Sequence, residues 1–262
     1  MNGDKGHLLP GKHTHPVTPS GKSRVVLITG SSRGIGFGIA GAFAARGDRV
    51  ILNGQQDSAQ LAQAVEKLSQ MGHNTAGYIA DLSDYDKARE MFSQIEAGYG
   101  PVDILVNNAG VAHYGLFSDM HPACWQKVLA DNLHTTVNAS HLAVPPMVRA
   151  KSGCIINITS VWGIAGASCE VMYSAAKAAI IGFTKALARE LGPSGVRVNA
   201  IACGAFHTRM NDYLSQDEKN IFIENIPLGR FGYPAEVGAL AAYIADAEYL
   251  TGQVIPLDGG LL

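Results

Sequence analysis

Val25-Val26-Leu27-Ile28-Thr29-Gly30-Ser31-Ser32-Arg33-Gly34-Ile35-Gly36 is the stretch that decides the fold of this chain. Its first five residues make a continuous apolar, β-branched run closed by a glycine, the pattern of a parallel strand buried on both faces. A glycine-rich turn follows, and the small-residue spacing of Gly38, Ala40, Ala42, Phe43 and Ala45 predicts a helix after it. Glycines in such a turn let backbone amides approach a pyrophosphate, which then rests at the positive N-terminal end of the helix. A glycine triplet alone is a weak signal; its place between strand and helix gives it weight.

The strand-and-helix alternation continues outward from this point. Val50-Ile51-Leu52-Asn53 stands at the distance expected for a βαβ unit, and the residue beyond it reads the adenosine ribose of a bound dinucleotide. Gly54, Gln55 and Gln56 occupy that place, with no carboxylate to accept from a free 2′-hydroxyl and repel a 2′-phosphate. Together with Arg33 in the glycine loop this favours NADP(H), although Arg33 also reads as a solvated loop charge. Further strands are predicted at 76–80, 102–106, 154–160, 196–201 and 253–257. Helices are predicted at 61–68, 122–132 continuing to about 149, around Tyr173 and Lys177, and at 235–245. The fold class is therefore α/β, a doubly wound parallel sheet of about seven strands with helices on both faces and ligands at the carboxyl ends of the strands.

Residues 1–23 are rich in Gly, Pro, Lys and polar residues without a period, and are expected to be a disordered N-terminal extension before a single catalytic domain at 24–262. His7, His13 and His15 lie there without Cys or carboxylate partners at ligand spacing, so no metal is expected. The segment 204–234 is polar and irregular, with Met210, Tyr213, Leu214, Phe222 and Phe231 embedded in it, and reads as a lid.

A chain of 262 residues with 47% apolar side chains buries one sizeable core. A formal net charge of −2 with no dense Lys/Arg block argues against nucleic acid or an anionic membrane as partner and for a small-molecule or protein-borne substrate. Cys124, Cys154, Cys169 and Cys203 form no CxxC pair or disulfide framework, which points to a reducing compartment. No apolar run approaches the ~20 residues of a membrane span, so a soluble, cytoplasmic protein is expected.

Chemistry concentrates in Tyr173-Ser174-Ala175-Ala176-Lys177, whose spacing puts a phenol and an ammonium on one helix face, a turn apart. A free tyrosine titrates near ~10; a nearby fixed positive charge stabilises its phenolate and lets it serve as a general acid near neutral pH. The same spacing also describes a half-buried Tyr beside a solvated Lys. Ser160 stands at the carboxyl end of its predicted strand, the edge of such a sheet where ligands bind.

Taken in order, Thr29 to Gly36, Asp81-Leu82, Asn107-Asn108-Ala109-Gly110, Asn132, Ser160, Tyr173-x-x-x-Lys177 and Asp258-Gly259-Gly260 resemble the motifs of the short-chain dehydrogenase/reductase family, from Arg24 to the C-terminus. The resemblance implies a Rossmann-type domain in which Tyr173 protonates a carbonyl oxygen while a nicotinamide delivers hydride to the carbon. It implies that Ser160 positions that oxygen, that Lys177 lowers the tyrosine pKa and binds the nicotinamide ribose, and that Asn132 holds a relay water. Gly30, Ser32, Arg33, Gly34, Ile35, Gly36, Asp81, Leu82, Asn108, Ala109 and Gly110 would line the cofactor with Tyr173 and Lys177, Asp81 meeting the adenine edge.

Within the family the chain most resembles bacterial 3-oxoacyl-acyl-carrier-protein reductases, which use NADPH and commonly form tetramers; a homotetramer or homodimer is implied. A narrower resemblance, in Ser160 to Gly163 and Gly166 to Tyr173, is to reductases of a 5-aminopentanone group on a lysine of elongation factor P. There Glu170, near the pocket mouth with Trp162, could pair with a substrate ammonium, or could instead cap the helix start. A non-catalytic dinucleotide-sensing protein is the reading from another class. Two departures stand out: Cys203-Gly204 replaces the family's Pro-Gly, which leaves that loop freer, and Asp131 occupies a position usually apolar.

Overall fold

Strands that must bury both faces have to sit inside a sheet covered by helices on each side, and the chain does this. The computed structural model describes residues 23–211 and 215–262. The expectations for residues 1–22, and for Tyr213 and Leu214, lie outside the described residues. The first half runs β1 (Val25–Ile28), α1 (Gly34–Ala44), β2 (Arg49–Gly54), α2 (Ser58–Gln70), β3 (Thr75–Ile79), α3 (Tyr85–Tyr99) and β4 (Ile104–Asn107). The second runs α4 (Pro122–Leu129), α5 (Thr135–Ala150), β5 (Gly153–Ser160), α6 (Trp162–Ala165), α7 (Val171–Leu191), β6 (Val196–Cys203), α8 (Gln216–Glu224), α9 (Pro234–Asp246) and β7 (Val254–Leu257).

The seven strands form one parallel sheet in the order β3-β2-β1-β4-β5-β6-β7. Winding reverses between β1 and β4, which pair through Val26↔Ile104 and Ile28↔Val106, so the loops leaving these two strands part and open a crevice at their carboxyl ends. Alternate residues of each strand feed two cores. Val26 and Ile28 pack under α1, α2 and α9 with Ile39, Phe43 and Ile244, while Val25 and Leu27 face α3, α5 and α7 with Ile95, Met147 and Leu191. No helix among the described residues is long and apolar enough to cross a membrane.

Three local findings depart from the sequence reading. β6 extends to Cys203, which sits in register with Ser160 on one side and Leu257 on the other, so the substitution for proline leaves an ordered, doubly paired strand end rather than a freer loop. The segment 204–234 is not wholly irregular. It contains α8, started by a capping box in which the Ser215 hydroxyl accepts from the Glu218 amide and the Glu218 carboxylate accepts from the Ser215 amide. The segment is pinched at its base, where Gly232 N–H donates to Ala205 O and His207 N–H to Gly232 O, each at 2.9 Å. Finally, the predicted long helix after residue 122 is broken by a π-helical turn, Ala130–His134, that carries Asn132.

α1 and α9 touch backbone to backbone. A Cβ on Gly38 would lie 2.5 Å from Pro234 O, whereas one on Gly41 of the same helix would meet nothing within 4 Å. Gly38→Ala should therefore destabilise the protein by about 1–3 kcal/mol through forced separation of the helices. Gly41→Ala should be neutral or stabilising by roughly 0.5–1 kcal/mol. Urea unfolding of the two variants checks this; equal effects would contradict the close approach.

Candidate active site

At the crevice the glycine turn is latched from several strands at once. Gly30 has φ +59, and a Cβ there would fall 2.8 Å from Ala109 Cα; a Cβ on Gly36 would fall 2.6 Å from Asn108 Nδ2 and from Gly30 O. The hydroxyl oxygen of Thr29 accepts from the backbone amides of Asn108 and Ala109, both at 2.9 Å. Asn108 Nδ2 donates in return to Thr29 O at 3.0 Å and Gly30 O at 2.9 Å. Asn53 completes the clamp from β2: its Oδ1 accepts from Gly30 N–H at 3.3 Å and its Nδ2 donates to Ala80 O at 3.2 Å. Arg33 stands at the N-cap of α1 without a side-chain capping bond, leaving the first-turn amides to an outside acceptor. This cradle, without Cβ atoms at Gly30, Gly34 and Gly36 and headed by a helix N-terminus, fits a dinucleotide pyrophosphate.

The neighbouring Asp81 accepts from the Ser83 amide at 3.0 Å and the Ser83 hydroxyl at 2.7 Å. Burial pushes its carboxyl up, but the bonds from Ser83 and Gln55 outweigh burial and hold it below the usual range. The Leu82 side chain is buried and its carbonyl accepts from Asn138 Nδ2 at 2.9 Å, which anchors this loop. Ser32 and Arg33 both turn toward Gln60 on α2, at 3.2 and 3.3 Å. The sequence reading quoted Thr29 only as the start of the glycine motif and gave no site role to Asn53 or Gln60.

The second half of the site is built on β5 and α7. Ser160, the last residue of β5, accepts from the Trp162 amide at 3.1 Å, which orients its hydroxyl and keeps the proton free to donate. α6 lies against α7 because Gly163 has no side chain; a Cβ there would meet Lys177 C at 2.7 Å. Thr159 donates its hydroxyl to Lys177 O at 2.8 Å, and Lys177 Nζ donates to Ile158 O at 3.1 Å, so β5 and α7 are tied twice just before Ser160. Tyr173 and Lys177 are both buried. Asn132, held by bonds from its Nδ2 to Val111 O and Val128 O at 2.8 Å, leaves its buried Oδ1 without a protein partner. A Cβ on Gly110 would sit 2.5 Å from that Oδ1 and 3.2 Å from Lys177 Nζ. With no side chain at Gly110, Asn132 Oδ1 and Lys177 Nζ both come close to the backbone there.

Burial is the largest influence on the titration of both members of the pair. Burial, then the Glu170 carboxylate, raise the Tyr173 phenol above its ordinary value, with only the Ser160 hydrogen bond drawing it down. The Lys177 ammonium lies over the ring, 5.6 Å from its centroid, and points to Ile158 O. Burial pushes this ammonium down to about 8.

The outer wall of the site is aromatic. Trp162 meets Phe222 of α8 edge-on at 6.4 Å, Phe222 meets Phe231 at 5.8 Å, and His207 bridges Phe231 and Tyr233 at 5.5 and 5.0 Å. Glu170 occupies the N-cap of α7 but makes no side-chain capping bond; it is half-buried, and burial raises its carboxyl. Asp131 now has an account: buried in the π-turn, it pairs with Lys127 one turn earlier at 2.8 Å, and that pairing raises the Lys127 ammonium. Cys203, pushed up to about 12 by burial, stays a thiol.

A parallel sheet with a glycine cradle at its switch point and a Ser, Tyr and Lys at the neighbouring strand end define a dinucleotide-dependent oxidoreductase. The family model of the short chain dehydrogenases matches residues 24–219, and the chain belongs to that family. The 3-oxoacyl-acyl-carrier-protein reductase of Chlamydia muridarum is 38% identical over 241 residues, covering 91% of this chain and 97% of the relative. The uncharacterized oxidoreductase YmfI of Bacillus subtilis is 40% identical over 241 residues, covering 91% and 98%. A crystal structure of a putative gluconate dehydrogenase from Agrobacterium tumefaciens superposes with a TM-score of 0.88 at 31% identity, covering 91% of this chain and 95% of that one. The protein is an NAD(P)-dependent oxidoreductase acting on CH–OH and C=O groups.

The buried ammonium makes a stability prediction. Its folded pKa of about 8 lies below the ordinary 10.5, so between these values the unfolded chain holds a proton that the folded chain has shed, and stability rises with pH. The raised Tyr173 phenol acts in the opposite sense only as pH passes the ordinary value of 10.0. The stability of wild type relative to Lys177→Met should therefore increase by roughly 2 kcal/mol from pH 8 to pH 10, measured by denaturant unfolding. A constant difference would contradict the burial of the charge.

Proposed function

We propose that the protein reduces a ketone to a secondary alcohol with NADPH, and that its substrate is a 3-oxoacyl thioester borne by an acyl carrier protein. The observation that carries the reaction is the convergence of Ser160, Tyr173 and Lys177 at the carboxyl end of β5, beside a cradle fitted to a pyrophosphate. The thioester is supported by relatives whose names describe 3-oxoacyl-acyl-carrier-protein reductases. The residues Gly30, Ser32, Arg33, Gly34, Ile35, Gly36, Asp81, Leu82, Asn108, Ala109 and Gly110 would hold the dinucleotide, with Lys177 and Tyr173 at its nicotinamide ribose. When bound, the dinucleotide supplies the hydride that reduces the carbonyl carbon.

The chain's own groups do the rest. Ser160 donates a hydrogen bond to the carbonyl oxygen and keeps its proton, its acceptor side being engaged by the Trp162 amide. Tyr173, protonated at neutral pH, donates its phenolic proton to the same oxygen as negative charge develops there. The orphaned Asn132 Oδ1 would hold a water that replaces that proton by way of Lys177. α8, within the segment proposed as a lid, reaches Trp162 through Phe222, two residues beyond Ser160. Tyr173→Phe should lower kcat for acetoacetyl-thioester reduction by roughly 10²- to 10⁴-fold with NADPH affinity retained; near-normal turnover would remove the acid assignment.

Glu170 favours a second substrate reading. It neither caps α7 nor takes part in an ion pair among the described residues, yet it is half-buried near the phenol. A carboxylate so placed suits a cationic substrate end, such as the ammonium of a 5-aminopentanone group on a lysine of elongation factor P. Glu170→Gln should leave thioester turnover within about twofold and lower turnover of the amino ketone by roughly tenfold or more, the loss of one charge-assisted pair. Strong thioester activity with no amino-ketone activity in wild type removes this second reading.

Assembly as a homodimer or homotetramer is supported by α7, which exposes Ala175, Ala179, Gly182 and Ala186, small residues at helical spacing on which another helix can pack closely. Light scattering should show at least a dimer; a stable monomer would overturn this.

A further inference from the structure

We infer that Gln60 sets the cofactor preference of this enzyme, by orienting Arg33 and Ser32 through one amide oxygen while leaving the arginine its full charge. The inference rests on the NADPH reading given above. Ser32 donates its hydroxyl to Gln60 Oε1 at 3.2 Å, and Arg33 donates an Nη1 proton to the same oxygen at 3.3 Å. These bonds cross from the β1–α1 turn to the first turn of α2, the two segments on either side of the carboxyl end of β2, where the adenosine ribose is read.

Charge decides what such a residue does. Arg33 is exposed and makes no salt bridge among the described residues. The one carboxylate in the segment 54–60, Asp57, is committed to capping α2 by accepting from the Gln60 amide at 2.8 Å. Gln55, at the end of β2, bonds instead to Asp81. A neutral amide that accepts from Arg33 fixes the guanidinium at this end of the crevice and cancels none of its charge. A 2′-phosphate arriving there meets an oriented, uncompensated fork of donors. A carboxylate at position 60 would form an ion pair with Arg33 and repel the phosphate, while leaving a ribose hydroxyl an acceptor.

The substitution Gln60→Glu isolates this role, because Glu is favoured in the first turn behind an acidic or hydroxyl N-cap and the helix start is preserved. Dissociation constants for NADP+ and NAD+ are measured on the intact protein by calorimetry, with KM for NADPH and NADH alongside. Gln60→Glu should lower the preference for NADP+ over NAD+ at least tenfold, almost wholly through weaker NADP+ binding. Gln60→Leu, which removes the acceptor without adding charge, should weaken NADP+ several-fold and leave NAD+ unchanged. A wild-type preference for NADP+ that survives Gln60→Glu overturns the role of Gln60 alone, and so does a loss equal for both cofactors. A wild type that binds NADP+ no more tightly than NAD+ overturns the cofactor reading and this inference with it.

Discussion

The ammonium of Lys177 is buried, and the geometry of the chemical end of the crevice follows from how the fold accommodates it. Removing such a charge from water is costly unless it is hydrogen-bonded or neutralised. Here one bond goes to Ile158 O, and the depressed pKa of about 8 brings the neutral form within reach of mild alkali. The same residue's carbonyl takes the Thr159 hydroxyl. One lysine thus pins α7 to β5 from both its side chain and its backbone, and that pinning sets where Tyr173 stands relative to Ser160. Glycines at 110 and 163 are the complement of this arrangement, since a methyl group at either would strike Asn132 or the Lys177 backbone.

The two ends of the crevice use different physical means. The phosphate end is made from backbone: bare glycines, free first-turn amides, and asparagine latches from β2 and from the loop after β4 that hold the loops in place. Such a site gains little from pKa tuning and depends on close approach. The chemical end is made from side chains withdrawn from water, where burial changes what each group does. It keeps the phenol protonated, hence an acid, and makes the lysine readier to release a proton. A dinucleotide, which brings its own charge and hydroxyls, would bridge the two ends.

Much of the fold was legible because parallel strands buried on both faces leave uninterrupted apolar runs, as in Val25 to Ile28 and Cys154 to Ile158. β6 was read two residues short because Cys203, a small hydrophobe after Ala202, gives no β signal, although it is paired on both sides. α8 was read as irregular since its amphipathic pattern is weak; the Ser215 to Glu218 capping box was the available sign of its start. The four candidate catalytic residues, Asn132, Ser160, Tyr173 and Lys177, were visible only through their joint order. What Lys177 does to Tyr173 was not visible, because the four-residue spacing that puts both on one face also stacks the ammonium over the ring, and burial is a property of the tertiary structure. The contacts of Asn53 and Gln60 cross between loops distant in sequence and carry no local pattern. Asp131, by contrast, had a readable partner in Lys127, one helical turn before it.

The claim on which the account turns is that Lys177 carries its charge inside the protein. Lysine ε-methylene resonances, followed by carbon-13 NMR as a function of pH and assigned through Lys177→Met, report that ionisation directly. The account predicts a midpoint for Lys177 near 8, well below the ordinary lysine value of about 10.4. A Lys177 midpoint among those of the exposed lysines would contradict it.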